Sequence, residues 1–204
     1  MRHESVDLSH HWLQLHTLVK LYQPNLGPIL TEREVYEMAS RIHYMDPSRF
    51  NAKNTTSFGY SFNRLFQGAG YVFRPSRVAV NRVLPESAFP EIIVTINDSM
   101  RRLIHSSSNK YILEPNAFDG CLLINLKHRS HFADVNDTIL RGYYQTRLKL
   151  FQKMGFSVLE IHWMQVAGED KQFIGLLVRK ILQEKIDKGE IDSRFSVLLD
   201  DKIN

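Results

Sequence analysis

The sequence predicts an α/β protein: a helical N-terminal segment, then a small α/β domain with a short mixed sheet. Two observations define the sheet. The apolar run Cys121-Leu122-Leu123-Ile124 is followed by a polar hook, a helix-spaced segment to Met154, a glycine stop at Gly155 and a second strand-like run with Val158, Leu159 and Ile161. Strand, helix, strand is a β-α-β crossover, which requires parallel strands and is expected right-handed. Ahead of it, Asp119-Gly120 is a turn signal that predicts an antiparallel hairpin into the strand at 121–126, so the sheet should be mixed. Helical spacing dominates both ends of the chain.

Taken in order, Trp12, Leu15, Leu18, Val19 and Tyr22 lie at helical spacing, and Pro24, Gly27 and Pro28 stop that run. Thr31-Glu32-Arg33-Glu34 has the form of a capping box, with Val35, Met38 and Ile42 marking the buried face of a short helix that closes near Asp46-Pro47. After a polar, turn-rich stretch over 50–60, Phe58, Phe62, Leu65 and Phe66 predict a third helix ended by Gly68 and Gly70. Val78, Val80 and Val83 fit a strand or a helical turn. Ile92, Ile93, Ile96, Met100, Leu103 and Ile104 follow 3–4 spacing and predict a helix over 90–105, with Pro90 in its first turn. Tyr111, Ile112 and Leu113 read as the first strand of the hairpin. The crossover helix is expected over 138–154 and the last strand over 157–162. Phe173, Ile174, Leu177, Val178, Ile181 and Leu182 predict a closing amphipathic helix to about Asp187, and the mixed-charge tail after Gly189 reads as partly loose. These elements divide into a helical segment over 1–86, an α/β domain over 87–190 and a tail over 191–204.

With 204 residues, 43% of them apolar and 11% aromatic, the chain can bury a core and is not compositionally disordered. The net charge of +4 is modest, but it is concentrated. Between Lys127 and Lys153, six Lys/Arg face two acids, an excess equal to that of the whole chain. No acid lies between Arg141 and Glu160, so i,i+4 pairing within the helix cannot account for its cations. A local cationic face of this kind points to phosphate.

Other chemistry finds little support. The single cysteine, Cys121, excludes an internal disulfide or a cysteine-based zinc site, and its apolar setting reads as a buried, inert thiol. The nine histidines include no His-Glu-x-x-His pattern, and no metal or other cofactor is expected. The serines lack a nucleophile-elbow context. No apolar run approaches the ~20 residues of a spanning helix, so no membrane partner is expected. Arg2 stands with Glu4 and Asp7, which gives neither a secretory signal nor a clear transit peptide, so a precursor with a leader would be trimmed to this form.

Ser130-His131-Phe132 at the hook, then Arg147 and Leu148, then Gly155, Phe156, Val158, Ile161 and Trp163, together resemble the RAP domain. In that domain a strand ending in "…SHF" leads to a helix and then to "LGY.V..I…W". The resemblance covers residues 109–166. It implies an RNA-associated module with a small, restriction-endonuclease-like PD-(D/E)xK fold. In animals the module closes the proteins of the FAST-kinase-domain family, which are mitochondrial RNA-processing and RNA-stability factors carrying helical segments upstream. The helical character of 8–45 is compatible with that arrangement. The chain departs from the usual "E-x-D-G-P-S-H-F": Asn125 stands at the first acid, Lys127 at the aspartate, and His128-Arg129 replace Gly-Pro. Losing two hard anionic oxygens disfavours Mg²⁺, while the added cations favour phosphate.

These readings predict an RNA-binding protein, acting in mitochondrial RNA processing or stability, without catalysis of its own. Lys127, His128, Arg129, Arg141, Arg147, Lys149 and Lys153 are the expected phosphate contacts, with Tyr144 and Trp163 as base-stacking candidates. The expected partners are RNA, single-stranded or structured, and other RNA-processing proteins. One alternative is a degenerate metal-dependent nuclease using Asp119, Asn125 and Lys127, whose spacing mimics D…(D/E)xK. The other is a protein-interaction module of an RNA-processing complex.

Overall fold

Four runs of β-branched and apolar residues form one sheet in a computed structural model that describes residues 9–41, 57–85, 87, 90–97, 111–134 and 136–200. The strands are β1 (Val78–Asn81), β2 (Glu91–Thr95), β3 (Cys121–Lys127) and β4 (Ser157–His162), hydrogen-bonded in the order β1-β2-β3-β4. β1 pairs antiparallel with β2 and β2 with β3, whereas β3 and β4 are parallel, so the sheet is mixed as expected. The helices are α1 (Ser9–Tyr22), α2 (Glu32–Arg41), α3 (Ser57–Val72), α4 (Gly142–Lys153) and α5 (Lys171–Asp187).

The period-two alternation of the strands sorts side chains onto two faces. Ile92, Val94, Leu122, Ile124, Leu126, Leu159 and Ile161 face α3 and α5, while Ala79, Ile93, Cys121 and Leu123 face α4 and the end of α1. Helices therefore cover both faces of a central sheet. A third, smaller cluster joins α1 to α2 through Leu13, Leu30, Val35 and Ala39. β1 lies before residue 86 and pairs with β2 after it, so sheet and core run across the expected boundary between helical segment and α/β domain. No helix among the described residues is long and apolar enough to cross a membrane.

Several elements differ from expectation, each for a physical reason. Residues 91–95 are a strand rather than the start of a helix, and 98–105 lie outside the described residues. Ile92-Ile93-Val94 is buried on both faces, and a continuous apolar run fits either period equally well. The hairpin partner of β3 is β2. Residues 111–113 form no strand. On α1 the buried residues are Ser9, Leu13, His16, Thr17 and Leu21, while Trp12, Leu15 and Tyr22 are exposed. α3 continues past Gly68 and Gly70 to Val72. A Cβ on Gly68 would come within 2.6 Å of Ile174 Cγ2, and one on Gly175 within 2.7 Å of the Gly68 carbonyl oxygen, so these glycines let α3 and α5 touch. The tail over 193–198 is a short 3-10 helix whose Phe195 and Leu198, with Ile191, belong to the core rather than to a loose end. The predicted closure near Asp46-Pro47 and the buried role of Ile42 lie outside the described residues.

Other expectations hold. Glu34 N–H donates to Thr31 Oγ1 and Thr31 N–H to Glu34 Oε2, closing the capping box of α2. Gly155, at φ +95°, ends α4 in a Schellman motif: Gly155 N–H donates to Gln152 O at 3.0 Å and Phe156 N–H to Phe151 O at 3.1 Å.

Candidate nucleic-acid interface and the polar end of the sheet

On the α4 face, the apolar surface of the sheet gives way to polar residues toward the C-terminal end of β3. Asn125 and Lys127 share a face with Leu123, Glu160 and His162 share one with Val158, and Glu91 shares one with Ile93. Asn125 is in register with Glu160 and Lys127 with His162, and the β2–β3 register sets Glu91 opposite Asn125 on the other side. A polar row therefore runs across three strands beneath the first turns of α4.

Internal ion pairs neutralise this row. Arg147 reaches down from α4, and its Nη2 donates to Glu91 Oε1 at 2.6 Å. Arg147 is 8% exposed and Glu91 3%. Glu91 Oε2 also accepts the Val83 N–H at 2.9 Å, which ties β2 to the end of β1. Burial opposes the Arg147 charge, but the Glu91 carboxylate, by its charge and its hydrogen bond, outweighs it and holds the guanidinium above its ordinary pKa. One step along the sheet, Lys127 Nζ lies 3.1 Å from Glu160 Oε1. What remains between these groups and Asn125 is a void of about 10 Å³, the threshold size for one water.

The hook is a 3-10 turn over Arg129–His131 held by its two histidines. His131 Nδ1 accepts the His128 N–H at 3.3 Å, and His128 Nδ1 accepts the Ser130 N–H at 3.3 Å. Tyr144 stacks on the His131 ring at 3.6 Å, and Phe58 of α3 packs against both histidines. Burial, with the Arg147 and His128 charges adding to it, pushes His131 down to about 3, and burial lowers His128 as well. Both rings are therefore neutral near pH 7. His131 is thus a buried anchor of the hook, and His128 leaves the cationic set.

The nine residues expected to touch RNA separate into two groups. Five are occupied within the protein. Arg147 and Lys127 are in ion pairs, His128 is buried, Tyr144 lies on His131, and the indole N–H of Trp163 donates to Asp137 Oδ2 at 2.8 Å. His162 also faces Asp137, with Nε2 3.5 Å from Oδ2. The other four, Arg129, Arg141, Lys149 and Lys153, are exposed. Arg141 uses its Nε on the Phe132 carbonyl at 2.9 Å, which fixes the side chain beside the hook. Arg141, Gln145, Lys149 and Lys153 recur every four residues and form one outer stripe of α4, about 18 Å long at 1.5 Å per residue. Lys149 and Lys153 make no ion pair among the described residues, and Lys153 Nζ sits 5.6 Å from the Tyr22 ring centroid of α1.

The alternative metal site is not assembled. Asp119 precedes β3 and is held by a bidentate contact with Arg194, whereas Asn125 is four strand steps beyond Cys121, a distance of about 13 Å. No group of three metal-ligating side chains occurs among the described residues. Cys121 is buried, and burial raises its thiol to about 11, so it is inert as expected.

Sequence reasoning missed Glu91 and Glu160, the two carboxylates that take Arg147 and Lys127. Glu160 was findable, because alternation within 157–162 puts it on the face of Val158. Glu91 was hidden by the helical reading of 90–105. No family model, curated protein or solved structure matches the chain.

Proposed function

We propose that this protein binds RNA through the hook and the outer face of α4, without cleaving it. The observation that carries the reading is the exposed stripe of Arg141, Lys149 and Lys153, with Arg129 beside it, on a helix that contains no acid. Cations without neighbouring acids attract a polyanion more strongly than they stabilise a helix. The strand, hook, helix and strand that carry the RAP resemblance are present as β3, the 129–131 turn, α4 and β4, which is compatible with a RAP-like, endonuclease-like module. In the nuclease pattern acids hold a metal at the end of the central strand. Here Asn125 lies between two carboxylates that are each bound to a cation of the chain itself.

The proposed role is in RNA processing or stability, alongside other processing proteins. The mitochondrial compartment rests on the resemblance alone. The test is to incubate labelled single-stranded and hairpin RNA with the protein and Mg²⁺ or Mn²⁺. The expected outcome is retarded but intact RNA. Cleavage that is lost in Asp119→Ala, or in Lys127→Ala, would overturn the non-catalytic reading.

A further inference from the structure

The stripe on α4 ends at Lys153, and Lys153 rests on Tyr22 at the end of α1. Two residues earlier on α1, Lys20 lines an open cavity of about 720 Å³ between α1, the start of α2 and the segment 111–114. That volume falls within the range of small-molecule sites. Its titratable and aromatic lining side chains are His16 and Lys20 from α1, Glu32, Arg33 and Tyr36 from α2, and Tyr111 and Glu114 from the third wall, with Arg33 already paired to Glu37.

His16 is the informative member. Its Nδ1 accepts the Leu30 N–H at 3.1 Å, so the ring proton sits on Nε2 and that atom is a donor. Burial and the Lys20 charge both lower the pKa of the ring, which keeps it in this neutral form. The α1 wall therefore offers two donors, the His16 Nε2–H and the Lys20 ammonium, one turn apart. The opposite wall offers the Glu114 carboxylate as an acceptor, and Tyr36 and Tyr111 offer aromatic faces.

We infer that this cavity takes the base of a guanine nucleotide. Guanine presents adjacent acceptors, O6 and N7, on one edge and donors on the other. Adenine sets an amino group beside N7 and would turn a donor toward Lys20. A splayed-out base stacked on an aromatic ring and read on both edges is the usual mode of single-strand RNA recognition. The inference rests on the RNA-binding reading, because the base the cavity takes would belong to the bound RNA.

The experiment is calorimetric titration of the full chain with GMP, AMP, UMP and ribose 5-phosphate, repeated on Tyr36→Ala, Lys20→Gln and Glu114→Gln, with a thermal melt of each. The expected result is saturable GMP binding at least tenfold tighter than AMP or UMP. Tyr36→Ala should weaken it at least tenfold at unchanged melting temperature, and Glu114→Gln should narrow the preference for GMP over AMP. Three outcomes overturn the inference: no saturable GMP binding, equal binding of ribose 5-phosphate, or GMP binding indifferent to all three variants. If RNA binding depends on Lys149 and Lys153 while GMP is ignored, the cavity inference fails and the α4 reading stands. GMP binding without any RNA binding gives the reverse.

Discussion

Arg147 is a full charge held away from water, and its stability depends on Glu91. Removing one partner of a buried ion pair leaves the other uncompensated, which typically costs about 3–5 kcal/mol. Glu91→Ala should reach that range, because it also strands the Val83 N–H. The paired change Glu91→Leu with Arg147→Met should recover most of the loss. Urea unfolding of the three proteins checks this, and a Glu91→Ala protein of wild-type stability would show the pair to be incidental. His131 makes a second residue-scale prediction. Its folded pKa, near 3, lies below the ordinary value of 6.5, so its contribution is complete above pH 6.5 and is lost as pH falls from 6.5 toward 3. The slope is up to about 1.4 kcal/mol per pH unit. His16 and His128 shift in the same direction and add to it. Unfolding free energies measured between pH 4 and 7 should rise with pH, and the rise should be shallower in His131→Gln. The basic residues themselves were legible in the sequence, but the partner of Arg147 was not. Whether Arg147 meets a phosphate or a carboxylate is decided by the β2–β3 register, which no local pattern of residues 141–153 encodes.

At the scale of elements, the end of α4 was the most legible feature. Gly155 after a helical run announces a left-handed stop, and the Schellman hydrogen bonds follow from it. The structure adds a tertiary reason for glycine. A Cβ there would come within 2.9 Å of Asn116 Cα and 3.0 Å of the Asp119 nitrogen. The same turn, residues 116–118, caps α4 by donating Asn116 N–H to Lys153 O and Phe118 N–H to Met154 O. Gly155→Val therefore meets both an unfavourable φ and a backbone clash, and it should lower the melting temperature by several degrees or more. A wild-type melt for that variant would contradict the β3–α4–β4 arrangement. Gly68→Val should behave similarly, through the α3–α5 contact, although a glycine inside a helix reads locally as a stop. That contact and the strand over 91–95 were illegible for a common reason. Each depends on what an element packs against, and an apolar run buried on both faces carries neither a clean helical nor a clean strand period.

For the whole molecule, the sheet, its two helical layers and the docked tail turn α4 outward with its cations in a row, while the same fold consumes the cations nearest the sheet. Four exposed side chains, Arg129, Arg141, Lys149 and Lys153, should meet phosphates. The most direct measurement is the affinity for a single-stranded RNA oligomer across a salt series. At roughly 0.7 per neutralised phosphate, the plot of log K against log salt should fall with a slope of about −3. Lys149→Ala with Lys153→Ala should weaken binding across sequences and bring the slope to about −1.5, with the melting temperature unchanged. A slope near zero, or one that the double variant leaves untouched, would contradict an RNA-binding face on α4.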